Sequence, residues 1–487
     1  MAAAVFQAAA GAVTSRPSKS ALCAQPLLKS NVKVPIAFVK FLPTGFPSSS
    51  LSSFLVPSHR AKDLPWAAGN SESSLKNLRV SAITEVAETA ATALRLDSDA
   101  ASRGSSASSV EAAPQPRTFE GITTEEDLLN GIRYEVEAKQ LPPRASAGMV
   151  ELYCNYRDAV LSSGVENARE TAIQIMATVL DRIILQFEDP FTFSNYHKRM
   201  LEPYDYYTFG QNYIRPLIDY RNSYLGNIEV LDEIESYLKQ GHNVFLFANH
   251  QTEADPAVMA LLLEQSHPHL AENLTYIAGD RVVLDPFCKP FSMGRNLLCV
   301  YSKKHINDVP ELADMKQRAN TRTLKEMTAI LKKGGQLIWI APSGGRDRPD
   351  PVTDDWVPAA FDATSVENMR RLLGHMPVPG HMYPMSLLCH DIMAPPRKVE
   401  KELGEKRLVG YSAVGLAVAS ELDFKTITDI TTTKQEAKEM FSSTIFEIVK
   451  KHYAVLKRAI YANEGLAAAS PTMHLSQPWF DSQNANH

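Results

Sequence analysis

From about residue 195 onward the chain alternates short, almost wholly apolar runs with longer amphipathic stretches. This rhythm restricts the fold more than any other feature, because a strand covered on both faces reads as an unbroken apolar run, whereas a strand with one wet face alternates. Strands are expected at Asn243 to Ala248, Leu274 to Ala278, Leu297 to Tyr301, Gln336 to Ile340 and Met382 to Leu388, with another across Leu408 to Val418. Helices are expected at Asp255 to Gln265, Glu311 to Lys332, Val366 to Leu373 and Lys434 to Ala462. The last carries Phe441, Ile445, Ile448, Val449 and Val455 on one side, a stripe suited to packing on a sheet. The alternation predicts an α/β fold, a mostly parallel mixed sheet flanked by helices, over residues 195–480.

A different pattern precedes it. Thr123-Thr124-Glu125-Glu126-Asp127 combines hydroxyl caps with acidic residues in a first turn, and Leu128, Leu129, Ile132 and Val136 follow at helical spacing until Pro142-Pro143. A second helix reads from about Ala145 to Leu161. A third reads from Asn167 to Phe187, with Ile173, Met176, Val179, Leu180, Ile183 and Ile184 on one stripe. Short connections between them predict a small helical bundle domain over residues 118–190.

The first 110 residues have neither rhythm. No Asp or Glu occurs before Asp63, while Arg16, Lys19, Lys29, Lys33, Lys40 and Arg60 stand among Ser, Ala and Pro. That composition matches an organelle transit segment, and serine tracts such as Ser48 to Ser53 point to the chloroplast. Ser/Ala-rich low complexity continues to about Pro116. The expected location is therefore the chloroplast stroma, after removal of this segment.

Composition excludes several classes of function. A formal charge of -5 gives no basic field for nucleic acid. Cys23, Cys154, Cys288, Cys299 and Cys389 are scattered without a CxxC pair, which argues against a zinc cluster or a disulfide framework. No apolar run approaches the roughly 18 to 20 residues of a transmembrane helix. No GxxxxGK[ST], GxGxxG or HExxH pattern is present, so neither a metal nor another cofactor is expected.

In an open parallel sheet, ligands collect where strands end and loops gather side chains. Three expected strand ends are rich in reactive groups: Asn249-His250-Gln251-Thr252-Glu253-Ala254-Asp255-Pro256, Ser302-Lys303-Lys304-His305, and Ala341-Pro342-Ser343-Gly344-Gly345-Arg346-Asp347-Arg348. A neutral imidazole at His250 can accept an alcohol proton, and a carboxylate on its other nitrogen would fix the tautomer. Asp255 fits that part. It also fits a plain helix N-cap with Pro256 behind it. Arg346 and Arg348 follow a Gly-Gly and suit a phosphate, although the same residues, like Lys303-Lys304, also suit a solvated turn.

Asn249, His250 and Asp255 after a strand resemble the Asn-His-x4-Asp signature of the glycerolipid acyltransferase family. The likeness continues through Gly279-Asp280-Arg281, Gly344-Gly345-Arg346 and Val378-Pro379 to Tyr383-Pro384-Met385, in the family's order. Within it the chain is most similar to the plant plastid branch that acylates glycerol 3-phosphate. That resemblance implies transfer of a fatty acyl group from acyl-acyl carrier protein, or acyl-CoA, to the sn-1 hydroxyl. It implies His250 as general base, Asp255 as its partner, and Lys304, His305, Arg346 and Arg348 as the phosphate pocket. Asp280 and Arg281 would bind substrate or form a structural pair.

The third block departs from the Pro-Glu-Gly-Thr-Arg of many membrane-bound relatives, since Pro342-Ser343-Gly344-Gly345-Arg346 lacks the glutamate and threonine. The rivals are a thioester hydrolase with Ser343 as nucleophile and a non-catalytic module that binds lipid or acyl carrier. Lys316, Arg318, Arg322, Lys325, Lys332 and Lys333 form either a surface for an acidic carrier or an ordinary solvated helix face.

Overall fold

The computed structural model describes residues 117–397 and 406–481, and the side chains of Lys304 and Asp481 are outside that description. The transit segment expected over 1–110 lies outside the described residues.

Thr124 begins the first helix, Glu125–Glu137, and its hydroxyl accepts the Asp127 N–H as the sequence predicts. Pro142-Pro143 ends that region and also starts the next helix, Pro143–Ser162, two residues before the expected Ala145. The third helix, Ala168–Glu188, follows Asn167 in the left-handed region at φ 62°. Its Ile173, Met176, Val179, Leu180, Ile183 and Ile184 are all buried.

Among the described residues the main sheet has nine strands: β1 Tyr196–His197, β2 Tyr224–Gly226, β3 Asn243–Ala248, β4 Thr275–Gly279, β5 Asn296–Val300, β6 Leu337–Ile340, β7 Gly380–Leu388, β8 Gly415–Val418 and β9 Leu475–Ser476. Their spatial order is β1-β5-β4-β6-β3-β7-β8-β2-β9. The five central strands, β5 to β7 in that order, are mutually parallel. β1, β8 and β9 each enter antiparallel to a neighbour. The sheet is thus mostly parallel and mixed, with helices on both faces.

β3 explains why its sequence does not alternate. Val244, Leu246 and Ala248 join the apolar cluster that includes the helix Asp255–Leu263 and the three N-terminal helices. Phe245 and Phe247 point the other way, into a cluster with Met327, Leu373, Phe441, Ile445 and Val449. Both faces are dry, so every position after Asn243 is apolar, and each large side chain contributes about 1.5–3 kcal/mol of burial.

The helices Pro310–Lys333, Ala363–Gly374 and Lys434–Tyr461 lie near their expected positions. On the last, Phe441, Ile445, Val449 and Val455 are buried, while Ile448 is half-buried. The run Leu408 to Val418 is not one strand. Leu408–Val409 pairs with Met393–Ala394 in a separate ladder, and the main-sheet strand restarts at Gly415. At the break a Cβ on Gly410 would lie 2.6 Å from the Asp391 carbonyl oxygen, so the backbone passes too close for a side chain. Two helices absent from the sequence reading complete the layers: Ile228–Lys239 packs on β3 and β8, and Tyr206–Ile214 packs on the helices Ala168–Glu188 and Asp255–Leu263.

Candidate active site

Because β3, β4, β5, β6 and β7 run in one direction, their carboxyl ends share one rim. The loops after β3 and β6 are adjacent there, as Phe247 sits opposite Ile340 in the ladder. The β5 end is separated from β3 by β4 and β6, roughly 14 Å away at about 4.8 Å per strand.

The β3 loop is organised by Asp255. Its Oδ2 accepts His250 Nδ1 at 2.7 Å and the Gln251 N–H at 2.8 Å, while Oδ1 accepts the Thr252 N–H at 2.8 Å. The Cys389 thiol adds a contact to Oδ1 at 3.2 Å. Asp255 is the first residue of its helix and turns back into the preceding loop, and Ala254 takes the N-cap position without a side-chain cap. Simple capping by Asp255 is therefore corrected: its carboxylate serves the loop's N–H groups and the imidazole. A carboxylate oxygen only accepts, so Nδ1 carries the proton and a neutral ring keeps its lone pair on Nε2. Asp255 is fully enclosed, whereas the His250 side chain is 27% exposed. Trp339 of β6 meets the imidazole edge-on, with centroids 5.5 Å apart.

Asn249 fastens this loop to its neighbours. Its amide exchanges two 2.9 Å bonds with the Leu387 backbone and donates a third, also 2.9 Å, to Asp347. Gln251 accepts the Cys389 and His390 N–H groups and donates to the Tyr453 hydroxyl at 3.1 Å. Both residues are buried. Sequence reading treated them as flanks of His250; bonds to β7, more than a hundred residues away, are invisible along the chain.

The β6 loop docks on the same backbone. The Asp347 N–H donates to the His250 carbonyl at 2.5 Å, which sets Arg346 and Arg348 on either side of that junction. Arg346 Nη1 reaches Glu253 Oε1 at 3.5 Å, and Arg348 Nη1 donates to the carbonyls of Arg346 and Asp347. Burial pushes the Asp347 carboxyl up to about 7, against the lowering effect of the Asn249 and Ala359 N–H donors. Ser343 is buried and its hydroxyl donates to Gly345 within the same turn, which gives the hydrolase reading no support.

Other expected site residues are spread along the rim. Lys304 and His305 lie in a single 3-10 turn, Lys303–His305, after β5. The His305 ring is exposed and bonds to Asp308 at 3.0 Å. Asp280 and Arg281, both half-buried, lie after β4, where Asp280 starts the short helix Arg281–Leu284. The structure thus bonds His250 directly to Asp255 and ties the Arg346–Arg348 loop to the His250 backbone through the Asp347 N–H, and it leaves the β4 and β5 residues on the same rim without a bond to His250 among the described contacts.

Two further charged residues, not anticipated, stand behind the loop. Arg407 donates to Glu253 Oε2 and to Asp285 Oδ2, each at 3.0 Å, and lies over the Phe287 ring. Burial would raise Glu253, but Arg407 and Arg346 outweigh it and hold the carboxyl below its ordinary range. Among the described residues no cluster suits a metal ion, no disulfide links Cys154, Cys288, Cys299 and Cys389, and no helix is long and apolar enough to cross a membrane.

Comparison with known proteins shows the family of the chain. Residues 116–191 match the family model described as glycerol-3-phosphate acyltransferase N-terminal, and residues 229–387 match the acyltransferase model. The chain is 57% identical to the chloroplastic glycerol-3-phosphate acyltransferase of Arabidopsis thaliana over 363 residues, covering 74% of this chain and 79% of that one. It is 50% identical to a chloroplastic glycerol-3-phosphate acyltransferase of Cucurbita moschata over 465 residues, or 95% and 99% of the two chains. The Spinacia oleracea protein of the same name is 52% identical over 363 residues, 74% of this chain and 77% of its own. With signature loop, sheet rim and near full-length similarity in agreement, the chain belongs to the chloroplastic glycerol-3-phosphate acyltransferase family.

Proposed function

We propose that the chain transfers a fatty acyl group from acyl-acyl carrier protein, or from acyl-CoA, to the sn-1 hydroxyl of glycerol 3-phosphate in the chloroplast stroma, giving 1-acyl-glycerol 3-phosphate. His250 Nε2 takes the hydroxyl proton as the oxygen attacks the thioester carbonyl. The tetrahedral oxyanion then collapses, the carbon–sulfur bond breaks, and the leaving thiolate recovers the proton from His250. Asp255 keeps Nδ1 protonated and balances the imidazolium formed in between. Arg346 and Arg348, with Lys304 and His305 from the β5 turn, hold the phosphate; Asp280 and Arg281 border the acceptor. Residues 1–110 act as the transit segment, 118–190 as the helical domain and 195–480 as the catalytic domain.

The observation that carries this reading is the 2.7 Å bond from His250 Nδ1 to a fully enclosed Asp255 that also accepts two backbone N–H groups. A loop locked this way presents one tautomer without reorganising during the reaction. The expectation is that His250→Ala abolishes thiol release from the acyl donor in the presence of glycerol 3-phosphate, while calorimetric binding of glycerol 3-phosphate persists. A near-normal rate in that variant removes His250 from the chemistry. Thiol release by the unaltered chain without acceptor would favour a hydrolase instead.

A further inference from the structure

We infer that Arg407 is a positioning residue that keeps Arg346 available to the acceptor's phosphate by holding Glu253 away from it. The inference rests on the phosphate reading above and extends it to residues that do not touch substrate.

Four charged side chains from four separate segments meet behind the β3 loop. Glu253 comes from the His250 to Asp255 segment, Arg346 from the β6 loop, Asp285 from the chain after Arg281–Leu284, and Arg407 from the residue before Leu408–Val409. Glu253 bridges the two guanidiniums unequally. Its Oε2 lies 3.0 Å from Arg407 Nε, whereas its Oε1 lies 3.5 Å from Arg346 Nη1. Arg407 Nη2 meets Asp285 Oδ2 at 3.0 Å and the Cys288 sulfur at the same distance. The Arg407 and Glu253 side chains are only 10% and 19% exposed, so water screens these charges poorly.

This arrangement has a direct consequence for an anionic substrate. Glu253 and a phosphate dianion compete for the Arg346 guanidinium and repel each other. With Arg407 present, Glu253 has a closer cation and Asp285 a shared one. Without it, two nearly enclosed carboxylates lose their common partner, and Arg346 is the cation already in contact with Glu253. A guanidinium fork would close on that carboxylate in the bidentate manner it favours and turn its donors from the phosphate. The penalty falls on acceptor binding, since Arg407 bonds to neither His250 nor Asp255 among the described contacts.

The test is a rescue experiment on the purified full chain, with kcat and KM for glycerol 3-phosphate measured for Arg407→Met, Arg407→Met/Glu253→Gln and Arg346→Ala. Arg407→Met is expected to raise KM at least tenfold with a much smaller change in kcat. Adding Glu253→Gln removes the competing charge and is expected to bring KM back to within about threefold of the original value. A double variant no better than the single one, or a loss confined to kcat, overturns the inference, because a structural contact is not repaired by deleting its second partner. If Arg407→Met does not fold, Arg407→Lys keeps the charge with a shorter reach, and its KM defect and relief by Glu253→Gln decide the same point. An unchanged KM in Arg346→Ala removes the phosphate reading and the inference together; a raised KM there without rescue removes the inference alone.

Discussion

Replacing Asp255 by Asn separates the role of the carboxylate from its shape. The two oxygens of Asp255 face four donors: His250 Nδ1–H and Gln251 N–H on one, Thr252 N–H and the Cys389 thiol on the other. An amide has one accepting oxygen, so either orientation abandons a buried backbone N–H, costing about 1–3 kcal/mol of stability. If the amide nitrogen faces His250, the ring must carry its proton on Nε2, and the base is lost. If the oxygen faces His250, the tautomer survives but no anion balances the imidazolium. Both outcomes act on the proton-transfer step. Loss of such a carboxylate is expected to lower kcat by about 10³ to 10⁴, or roughly 4–5.5 kcal/mol in the barrier. KM for glycerol 3-phosphate is expected to change little, because Arg346 and Arg348 are left in place. Steady-state thiol release at varied acceptor gives both constants, and denaturant unfolding gives the stability term. A kcat within tenfold of the original, with the fold intact, would refute the assignment of Asp255 as tautomer-fixing partner.

Two other perturbations test the surrounding network. Asn249→Ala leaves the Leu387 N–H and carbonyl without their buried partner and is expected to cost about 2–4 kcal/mol in urea unfolding, even though Asn249 performs no proton transfer. Asp347 makes stability depend on pH in a defined direction. Its folded carboxyl is pushed up to about 7 from the ordinary 3.8 of an aspartate. Between those values the unfolded chain is ionised and the folded chain holds the proton, so this group's contribution declines as pH rises from about 4 to about 7 and is flat above. The loss is at most about 4 kcal/mol. Asp347→Asn is expected to flatten that part of the profile, as measured by unfolding at intervals from pH 5 to 8; an unaltered slope would assign it to other groups.

Legibility followed local physics. The strand Asn243–Ala248 was readable because burial on both faces leaves an uninterrupted apolar run after Asn243, and Thr124 was readable because a cap acts within three residues. The run from Leu408 to Val418 misled because the close approach at Gly410 involves Asp391, a neighbour unknown until the chain folds. Ile228–Lys239 carried a legible stripe in Ile228, Val230, Leu231, Ile234 and Leu238, which the sequence reading passed over. Arg407 offered no motif, being an isolated arginine beside a lysine.

The sequence by itself determined the chemistry on offer: an imidazole and a carboxylate within one short loop, cations after other strands, and apolar runs that require a sheet covered on both sides. Residue type and near-neighbour spacing set such properties, and both are written along the chain. Tertiary structure decided that Asp255 serves the imidazole and its loop, that the Asp347 N–H ties the arginine loop to the His250 carbonyl, and that Arg407 stands behind Glu253. Those outcomes depend on strand order and on which buried donors find acceptors, and segments roughly a hundred residues apart become neighbours only when the hydrophobic layers close around them.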